Sequence, residues 1–361
     1  MLATVIGIVV ALSLVAALAF RMCADTELRQ EVRSAWTVDA TAGFCIVVML
    51  GFLAIRSMGF GVDTAAYAGH FAGHCRGSLA QGLDASYVTA IFLIDLGMLG
   101  ACKVSLLPAA WAGLVVGITL LAFAPLRMRF RFAALLLLSM VGIELTTNAL
   151  RQGLSVALFV VAVSYWPRYW IVSVFASLLA AVLHTSSLLV MLAFGLAWLG
   201  WPGFLLGSIL MGVLVILGLM GSAMVSIAAP LIFEISKYIA HENDEIYARI
   251  LVAGCLLALL ASPWLACRTR ADRKSLYSRR EMGVALRLSC TAIPFMFLPY
   301  FGYRYVYGIW PLVLWLTVRA FDGAGESPVR HFLWTAVLNL ALLLVWGVGS
   351  SYMRQVPFMS W

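Results

Sequence analysis

Long apolar runs separated by short polar interruptions extend over most of the chain. A run of roughly 20 apolar residues is long enough to cross the hydrocarbon core of a bilayer as an α-helix. The pattern therefore predicts an all-α, polytopic integral membrane helical bundle of about 12 transmembrane helices, with residues 1–361 forming a single transmembrane domain. The predicted spans are 1–20, 38–55, one between Pro108 and Leu126, 132–147, 154–165, two within 170–201, 203–228, 250–266, 282–299, 309–318 and 332–349.

Basic residues are concentrated in a few of the polar interruptions, and their positions give the predicted orientation. Lys and Arg are enriched in the cytoplasmic loops of membrane proteins. The basic stretches 21–36 and 127–131 and the basic loop 268–281 are therefore assigned to the cytoplasm. The loop 56–84, which contains an interfacial helix, and the amphipathic segment 229–249 then lie on the outer side.

Two regions depart from a simple alternation of spans and loops. The outer loop and the cytoplasmic stretch 127–131 lie on opposite sides of the membrane, so an odd number of crossings must connect them. Of the apolar segments between them, Ala85 to Ala101 is therefore predicted to be interfacial or re-entrant rather than a full crossing. The run 170–201 is too long for one span, and His184 to Ser187 interrupt it. This run is predicted to form a helical hairpin with His184 near the outer face.

Composition agrees with the pattern, since 63% of the residues are apolar and 11% are charged, and the mean hydropathy is +1.00. Soluble domains contain only roughly 45–50% apolar residues. The net charge of +8 comes mostly from the short basic clusters, which explains the charge without nucleic-acid binding. The seven cysteines are scattered and include no CxxC pair. We interpret them as small apolar residues rather than a disulfide framework or a zinc site.

The first outer loop contains an unusual series of polar residues. Asp63, Tyr67, His70 and His74 recur at steps of four, three and four, which places them on one face of a helix. Asp63 also fits the N-cap position of that helix, because Thr64 and two alanines follow it. A metal site at His70 and His74 is not expected, since the sequence supplies no third ligand.

Polar and charged residues also collect at the other outer ends of predicted spans: Arg56, Arg151 with Gln152, His184, and Arg304 among tyrosines. Ionisable groups at membrane depth are costly, so they are candidates for function by default. Arginine stays charged and binds phosphate through paired hydrogen bonds. Tyrosine rings and amide groups suit the faces and hydroxyls of sugars. The combination indicates transfer of a glycan from a lipid diphosphate.

These residues form four short motifs in the order found in a known family. The motifs are Arg56 with Gly61 to Thr64 and Tyr67, then Leu150 to Gly153, then His184 to Ser187, and finally Tyr303 to Tyr307. They resemble the R...GtD...Y, iRqg, fHxS and late R...Y elements of the EpsG-type, Wzy-like polysaccharide polymerases. His70 and His74 depart from the usual pattern of that family, and the resemblance assigns them no role.

The resemblance implies a multi-pass membrane glycosyltransferase of the GT-C-like superfamily, located in the bacterial inner (cytoplasmic) membrane. Such an enzyme polymerises undecaprenyl-diphosphate-linked oligosaccharide repeat units into O-antigen, capsule or exopolysaccharide chains at an active site that faces the periplasm. The expected partners are these lipid-linked oligosaccharides, the lipid bilayer, and a chain-length regulator and flippase of the same pathway. No cofactor, no metal and no nucleic acid are expected.

Roles for individual residues follow from this chemistry. His184 or Asp63 is the candidate catalytic base for the acceptor hydroxyl. The candidate substrate-binding residues, for the diphosphate and the glycan, are Arg56, Arg151, Gln152, Arg304, Tyr67, Tyr303 and Tyr307. Simpler roles stay open: the arginines reach lipid headgroups, Arg304 rests on tyrosine rings, or His184 bridges a helix break.

Three other functions compete with the polymerase. A glycosyltransferase that uses a polyprenyl-phosphate sugar also carries an acidic residue in its first outer loop, although no Asp-x-Asp metal motif is evident. An O-antigen ligase shares the donor chemistry but uses lipid A core as the acceptor. A transporter or flippase of lipid-linked glycans is expected to place polar residues deep in its spans and on both faces. Here the spans are largely apolar and the unusual residues collect outside.

Overall fold

The computed structural model describes residues 30–55, 62–77, 84–219, 246–295, 301–322 and 328–353, and these parts are helices joined by short linkers. The predicted first span at 1–20, Arg56 and residues 229–245 of the outer amphipathic segment lie outside the described residues. The all-α prediction is confirmed for the described part of the chain.

The helices are numbered in chain order. They are α1 (Gln30–Ile55), α2 (Val62–Cys75), α3 (Ala85–Gly97), a short 3-10 turn (Val104–Leu106), α4 (Leu107–Leu120), α5 (Leu126–Leu137), α6 (Met140–Thr147), α7 (Leu150–Tyr165), α8 (Trp170–Leu183), α9 (Ser187–Trp198), α10 (Gly200–Leu219), α11 (Ile246–Ala266), α12 (Arg270–Tyr277), α13 (Arg280–Cys290), α14 (Ala292–Phe295), α15 (Phe301–Asp322) and α16 (Pro328–Met353).

Several of these helices are apolar enough for a bilayer. By length and composition, two described helices can cross a membrane, through the segments Val38–Ile55 of α1 and Pro328–Val345 of α16. A third span is added if α5 and α6 together make one crossing. The described helices therefore support a membrane protein and agree with the predicted spans at 38–55 and 332–349, but they do not establish the predicted number of spans.

Helix α15 forms the centre of the bundle. It packs against α7, α5, α11 and α13, and Trp310 and Trp315 are fully buried. The ring of Trp315 meets Phe132 of α5 edge to face, with 5.2 Å between centroids. Such aromatic pairs add to the stabilisation that burial of apolar surface already provides. The first residues of α15, which include Arg304, are therefore anchored to a rigid core.

One end of the bundle gathers the predicted cytoplasmic clusters, and we call it the basic end. Arg131 donates to the Asp39 carboxylate at 2.7 Å, Arg127 lies 3.4 Å from Asp322, and Arg319 lies 3.9 Å from Glu281. Arg304, near the other end of α15, is about 22 Å from Arg319 along the helix axis. The basic clusters and Arg304 therefore lie at opposite ends of the molecule.

The predicted span 132–147 is not a single straight helix. α5 ends at Leu137, and α6 begins at Met140 after a bend of 84°. Ser139 makes the break possible, because its Oγ accepts a hydrogen bond from the Gly142 amide at 2.9 Å and so caps α6. The run 170–201 is divided where the sequence predicted an interruption, since α8 ends at Leu183 and α9 starts at Ser187, and the hairpin of two spans stays a prediction.

The interpretation of the cysteines is wrong for one pair. Cys75, at the end of α2, forms a disulfide with Cys102, and their Cα atoms are 5.5 Å apart. Helices α2 and α3 contact each other, and the bridge joins two residues that are 27 positions apart in the sequence. Cys45, Cys255 and Cys267 are buried and not disulfide-bonded, as expected of small apolar residues.

Candidate active site

Arg151 lies in the first turn of α7, at the end of the bundle opposite the basic end. Leu150 and Leu154 are buried on the adjacent face of this helix. Arg151 is therefore in a partly exposed position. Its Nε donates to the Tyr67 hydroxyl at 2.9 Å, and its Nη1 donates to the Ser86 Oγ at 2.7 Å. The guanidinium therefore joins α7 to both α2 and α3.

Aromatic rings fix the plane of this guanidinium. The Cζ of Arg151 lies 3.8 Å from the centroid of the Tyr87 ring, within the range of a cation–π interaction. Tyr67 is 3% exposed, and its ring lies 5.4 Å from Tyr87 and 4.9 Å from Trp111. Among the described residues Nη2 of Arg151 makes no hydrogen bond, so it is free to bind a ligand oxygen.

Gln152 connects α7 to the beginning of α15. Its Nε2 donates to the Arg304 carbonyl oxygen at 2.6 Å. Gly308 of α15 allows a close approach to α9, since a Cβ there would lie 2.6 Å from Val190 Cγ2, and Gln152 Nε2 lies at ordinary contact distance, 3.7 Å from the same position. The residues that follow Arg151 and the residues around Arg304 are thus in direct contact.

His184 lies in the turn between α8 and α9, outside both helices. Its Nδ1 and the Ser186 Oγ are 2.5 Å apart. Ser187, the first residue of α9 after this turn, forms a hydrogen bond with Ser155 of α7, and the Ser155 Oγ also donates to the Ala180 carbonyl at 2.7 Å. Ser155 lies one helical turn after Arg151, so the His184 turn docks directly on the helix that carries Arg151.

The surroundings of His184 keep its imidazole neutral. The residue lies deep among packed helices, although part of its surface is accessible. Desolvation lowers the pKa of His184 to about 3, and the positive charges of Arg151 and Arg304 act in the same direction. An imidazole in this state has one unprotonated nitrogen and can accept a proton.

Helix α2 covers this region and is held in two places. Near its start, the Thr64 hydroxyl donates to the Thr147 carbonyl at 2.7 Å. Near its end, His74 Nε2 lies 3.3 Å from Asp95 Oδ2 of α3. The described part of this helix begins at Val62, so Asp63 lies inside the helix and the N-cap prediction for Asp63 is wrong.

The structure brings together most of the predicted site residues. Tyr67, Arg151, Gln152 and the Arg304 backbone are linked by direct hydrogen bonds, and the charges of Arg151 and Arg304 act on His184. Tyr307 is buried one turn after Arg304. Asp63 lies in α2 and Tyr303 lies in α15, but the structure does not describe their side chains. Arg56 lies outside the described residues.

Sequence reasoning missed the residues that hold Arg151 in place. Ser86 and Tyr87 contact its guanidinium, and no motif marks them. Ser155 was detectable only as the residue one helical turn after Arg151. Glu144 of α6 was also missed, although it is 1% exposed and accepts a hydrogen bond from Asn148 at 2.9 Å. A buried carboxylate in a membrane protein is a candidate for function.

No group of three or more potential metal ligands occurs among the described residues. In the comparison with known families, the sequence model described as the EpsG family matches residues 40–351. No curated protein and no solved structure matches this chain. The matched range contains all four motifs and every predicted site residue.

Proposed function

The chain belongs to the EpsG family, and from this premise we propose that it is a lipid-linked repeat-unit polymerase. The predicted resemblance to that family is confirmed. Membership suggests a polysaccharide polymerase-type role, and the apolar helices support a membrane location. The proposed reaction joins undecaprenyl-diphosphate-linked oligosaccharides into O-antigen, capsule or exopolysaccharide chains in the bacterial inner membrane.

The observation that carries this proposal is the convergence of the motifs. Tyr67 from the first motif, Arg151 and Gln152 from the second, and the Arg304 backbone from the fourth are connected by hydrogen bonds of 2.6–2.9 Å. The His184 turn is bound to the helix that carries Arg151. Arginines, a neutral imidazole and tyrosines in one cluster are suited to a diphosphate donor and a sugar acceptor.

Two features favour a site on the periplasmic side. The basic clusters lie at the end of the bundle opposite Arg304, and such clusters mark the cytoplasmic face of membrane proteins. The Cys75–Cys102 disulfide lies beside the helices that contact Arg151, and disulfides persist in oxidising compartments such as the periplasm. Both features fit a substrate that is presented on a lipid carrier outside the cytoplasm.

The proposed reaction is a displacement at the anomeric carbon of the donor sugar. The acceptor hydroxyl oxygen forms the new glycosidic bond, and the bond between the anomeric carbon and the diphosphate oxygen breaks. The diphosphate leaves with the electron pair of that bond, and its developing charge is stabilised by the fixed positive charges of Arg151 and Arg304. The hydroxyl proton passes to a base, for which His184 is the best-placed described candidate.

A bound diphosphate makes His184 a better base. In the free protein the positive charges of Arg151 and Arg304 help to lower the pKa of His184 to about 3. A diphosphate bound to these arginines neutralises that charge, so the pKa rises in the complex. A proton acceptor is more effective when its pKa lies nearer the working pH. Binding of the donor diphosphate therefore makes His184 more basic, and His184 is the group proposed to deprotonate the acceptor hydroxyl.

This coupling predicts different pH profiles for two kinetic constants. Because His184 is neutral above about pH 3 in the free protein, kcat/KM should show no inflection near pH 6.5. The acidic limb of kcat should lie at higher pH than that of kcat/KM, since kcat reports the complex. His184→Gln should remove the acidic limb of kcat. A common inflection near pH 6.5 in both profiles, retained in His184→Gln, would exclude His184 as the base.

Reconstitution tests the proposed reaction itself. Purified protein in proteoliposomes, supplied with synthetic undecaprenyl-diphosphate repeat units, should yield a ladder of products with and without a chelator. Single sugar additions that need a polyprenyl-phosphate donor and a divalent ion would identify the competing glycosyltransferase. Transfer only to lipid A core would identify a ligase, and movement of the lipid without bond formation would identify a transporter. Each of these three results contradicts the polymerase.

The same chemistry defines the proposed partners. The substrates are lipid-linked oligosaccharides in the surrounding bilayer, and a flippase of the same pathway must deliver them to the outer face. A chain-length regulator of that pathway is a further proposed partner. We also propose Asp63 as the alternative catalytic base. Arg56 and Tyr303 are proposed to bind the substrate.

A further inference from the structure

We propose that the basic end carries a second binding site, for the phosphate of an anionic phospholipid headgroup. Arg280 and Arg287 of α13 form this site, which we call the arginine pair, and Trp198 and Trp201 flank it. The site lies at the opposite end of the bundle from Arg151 and Arg304. It does not depend on the proposed polymerase reaction.

Arg287 is an almost fully buried cation at the junction of α9, α10 and α13. It is 8% exposed, and its Nε donates to the Ala197 carbonyl in the last turn of α9 at 2.6 Å. Its Cζ lies 5.7 Å from the Trp201 ring. The helix dipole and one hydrogen bond offset only part of the cost of burying this charge.

Arg280 brings a second positive charge to the same face. The two arginines are seven residues apart on α13, which places them two turns apart on one side of the helix. Gly283 lies between them, and a Cβ there would be 3.4 Å from Nη1 of Arg287. Arg280 is exposed, with its Cζ 4.5 Å from the Trp198 ring. The missing side chain of Gly283 leaves space that the Arg287 guanidinium occupies, so this group lies against α13 on the stretch between the two arginines.

Neither arginine is paired with an acid among the described residues. The neighbouring carboxylate, Glu281, lies 3.9 Å from Arg319 instead. Two like charges on one helix face repel each other unless an anion lies between them. Arginine gives a phosphate group several hydrogen-bond donors in a fixed plane. The arginine pair therefore has the charge and the donors that a phosphate group needs.

The surface beside the pair identifies the phosphate as that of a lipid. Trp201 is 44% exposed, and Leu199, Leu205 and Leu206 next to it on the same chain segment are 54–66% exposed. Tryptophan is enriched at the level of the headgroups, with acyl chains on one side and charge on the other. A free phosphate ion gains nothing from this apolar surface, whereas the acyl chains of a phospholipid cover it.

Lipid affinity of the purified full chain in detergent tests the site. Native mass spectrometry should show retention of phosphatidylglycerol in preference to phosphatidylcholine. Each arginine in direct contact with the bound headgroup contributes roughly fivefold to affinity, so Arg280→Gln should lower phosphatidylglycerol affinity about fivefold and the double variant with Arg287→Gln about thirtyfold. The matched control is Arg168→Gln, because Arg168 also lies over aromatic rings, Phe123 at 5.3 Å and Tyr169 at 5.5 Å.

The outcomes separate the arginine pair from general charge attraction. Retained phosphatidylglycerol affinity in Arg168→Gln together with the losses above supports the site. Equal losses in Arg168→Gln and Arg280→Gln overturn it, as does equal protection from thermal unfolding by inorganic phosphate and by phosphatidylglycerol. The substitution Arg287→Gln keeps a hydrogen-bond donor for the Ala197 carbonyl. If the double variant nevertheless does not fold, the single variant Arg280→Gln decides the question, because Arg280 is exposed.

Discussion

Arg151→Ala is expected to abolish long-chain glycan while leaving the protein inserted in the membrane. The variant loses a fixed positive charge at the departing diphosphate, and removal of one such stabilising group commonly lowers kcat by on the order of 10²–10³-fold. Arg151→Lys keeps the charge but cannot donate simultaneously to Tyr67, Ser86 and a phosphate oxygen in one plane. It should therefore recover only a small part of the activity. The measurement is the product ladder from reconstituted protein.

Two controls separate loss of chemistry from loss of fold. Arg168→Ala removes an arginine that also lies over aromatic rings, but at the basic end, and should keep normal product lengths. The Cys75–Cys102 disulfide reports on the packing of α2 and α3, and it should still form in Arg151→Ala. Normal chain lengths in Arg151→Ala would remove this residue from the mechanism, and a missing disulfide would assign it a structural role.

Gly153→Ala is expected to destabilise the bundle and inactivate the site together. A Cβ at position 153 would lie 2.1 Å from the Leu145 carbonyl oxygen of α6. Because that atom belongs to the backbone, α6 and α7 must move apart, at a cost of roughly 1–3 kcal/mol. The shift displaces Arg151 and Gln152 from their partners on α2 and α15. Thermal unfolding in detergent and the product ladder should both show the effect.

Gly113→Ala is the matched substitution, because Gly113 is also a helical glycine but a Cβ there would meet nothing within 4 Å. Alanine in a helix is more stable than glycine by roughly 0.5–1 kcal/mol, so this variant should unfold at the same or a higher temperature. If Gly153→Ala behaves like Gly113→Ala, the close contact between α6 and α7 does not explain the glycine of the second motif.

The sequence predicted the features that depend on apolar length, charge and helical spacing. The segment Val38–Ile55 is a helix of the expected length, and the polar series from Asp63 to His74 lies on α2. The interruption at His184 separates two helices. These predictions succeed because bilayer thickness and helical periodicity act on each segment separately. The grouping of Arg151 with Tyr67 followed from the family resemblance, since nothing local indicates it.

Features that depend on how segments meet could not be predicted. The disulfide requires that α2 and α3 pack against each other, and the spacing of Cys75 and Cys102 does not indicate it. The 84° bend between α5 and α6 depends on the cap at Ser139, which resembles any other serine within an apolar run. Ser86 and Tyr87 become important only because Arg151 packs against the start of α3. Tertiary contacts determine these features, and such contacts cannot be inferred from a single sequence.

The bridge between Cys75 and Cys102 also couples the two helices that contact the arginine. Arg151 contacts Tyr67 on α2 and Ser86 and Tyr87 on α3, and the bridge ties the end of α2 to the linker that follows α3. The two helices cannot separate widely from each other there. In the proposed reaction, a movement of α2 that admits a saccharide is therefore expected to carry α3 with it.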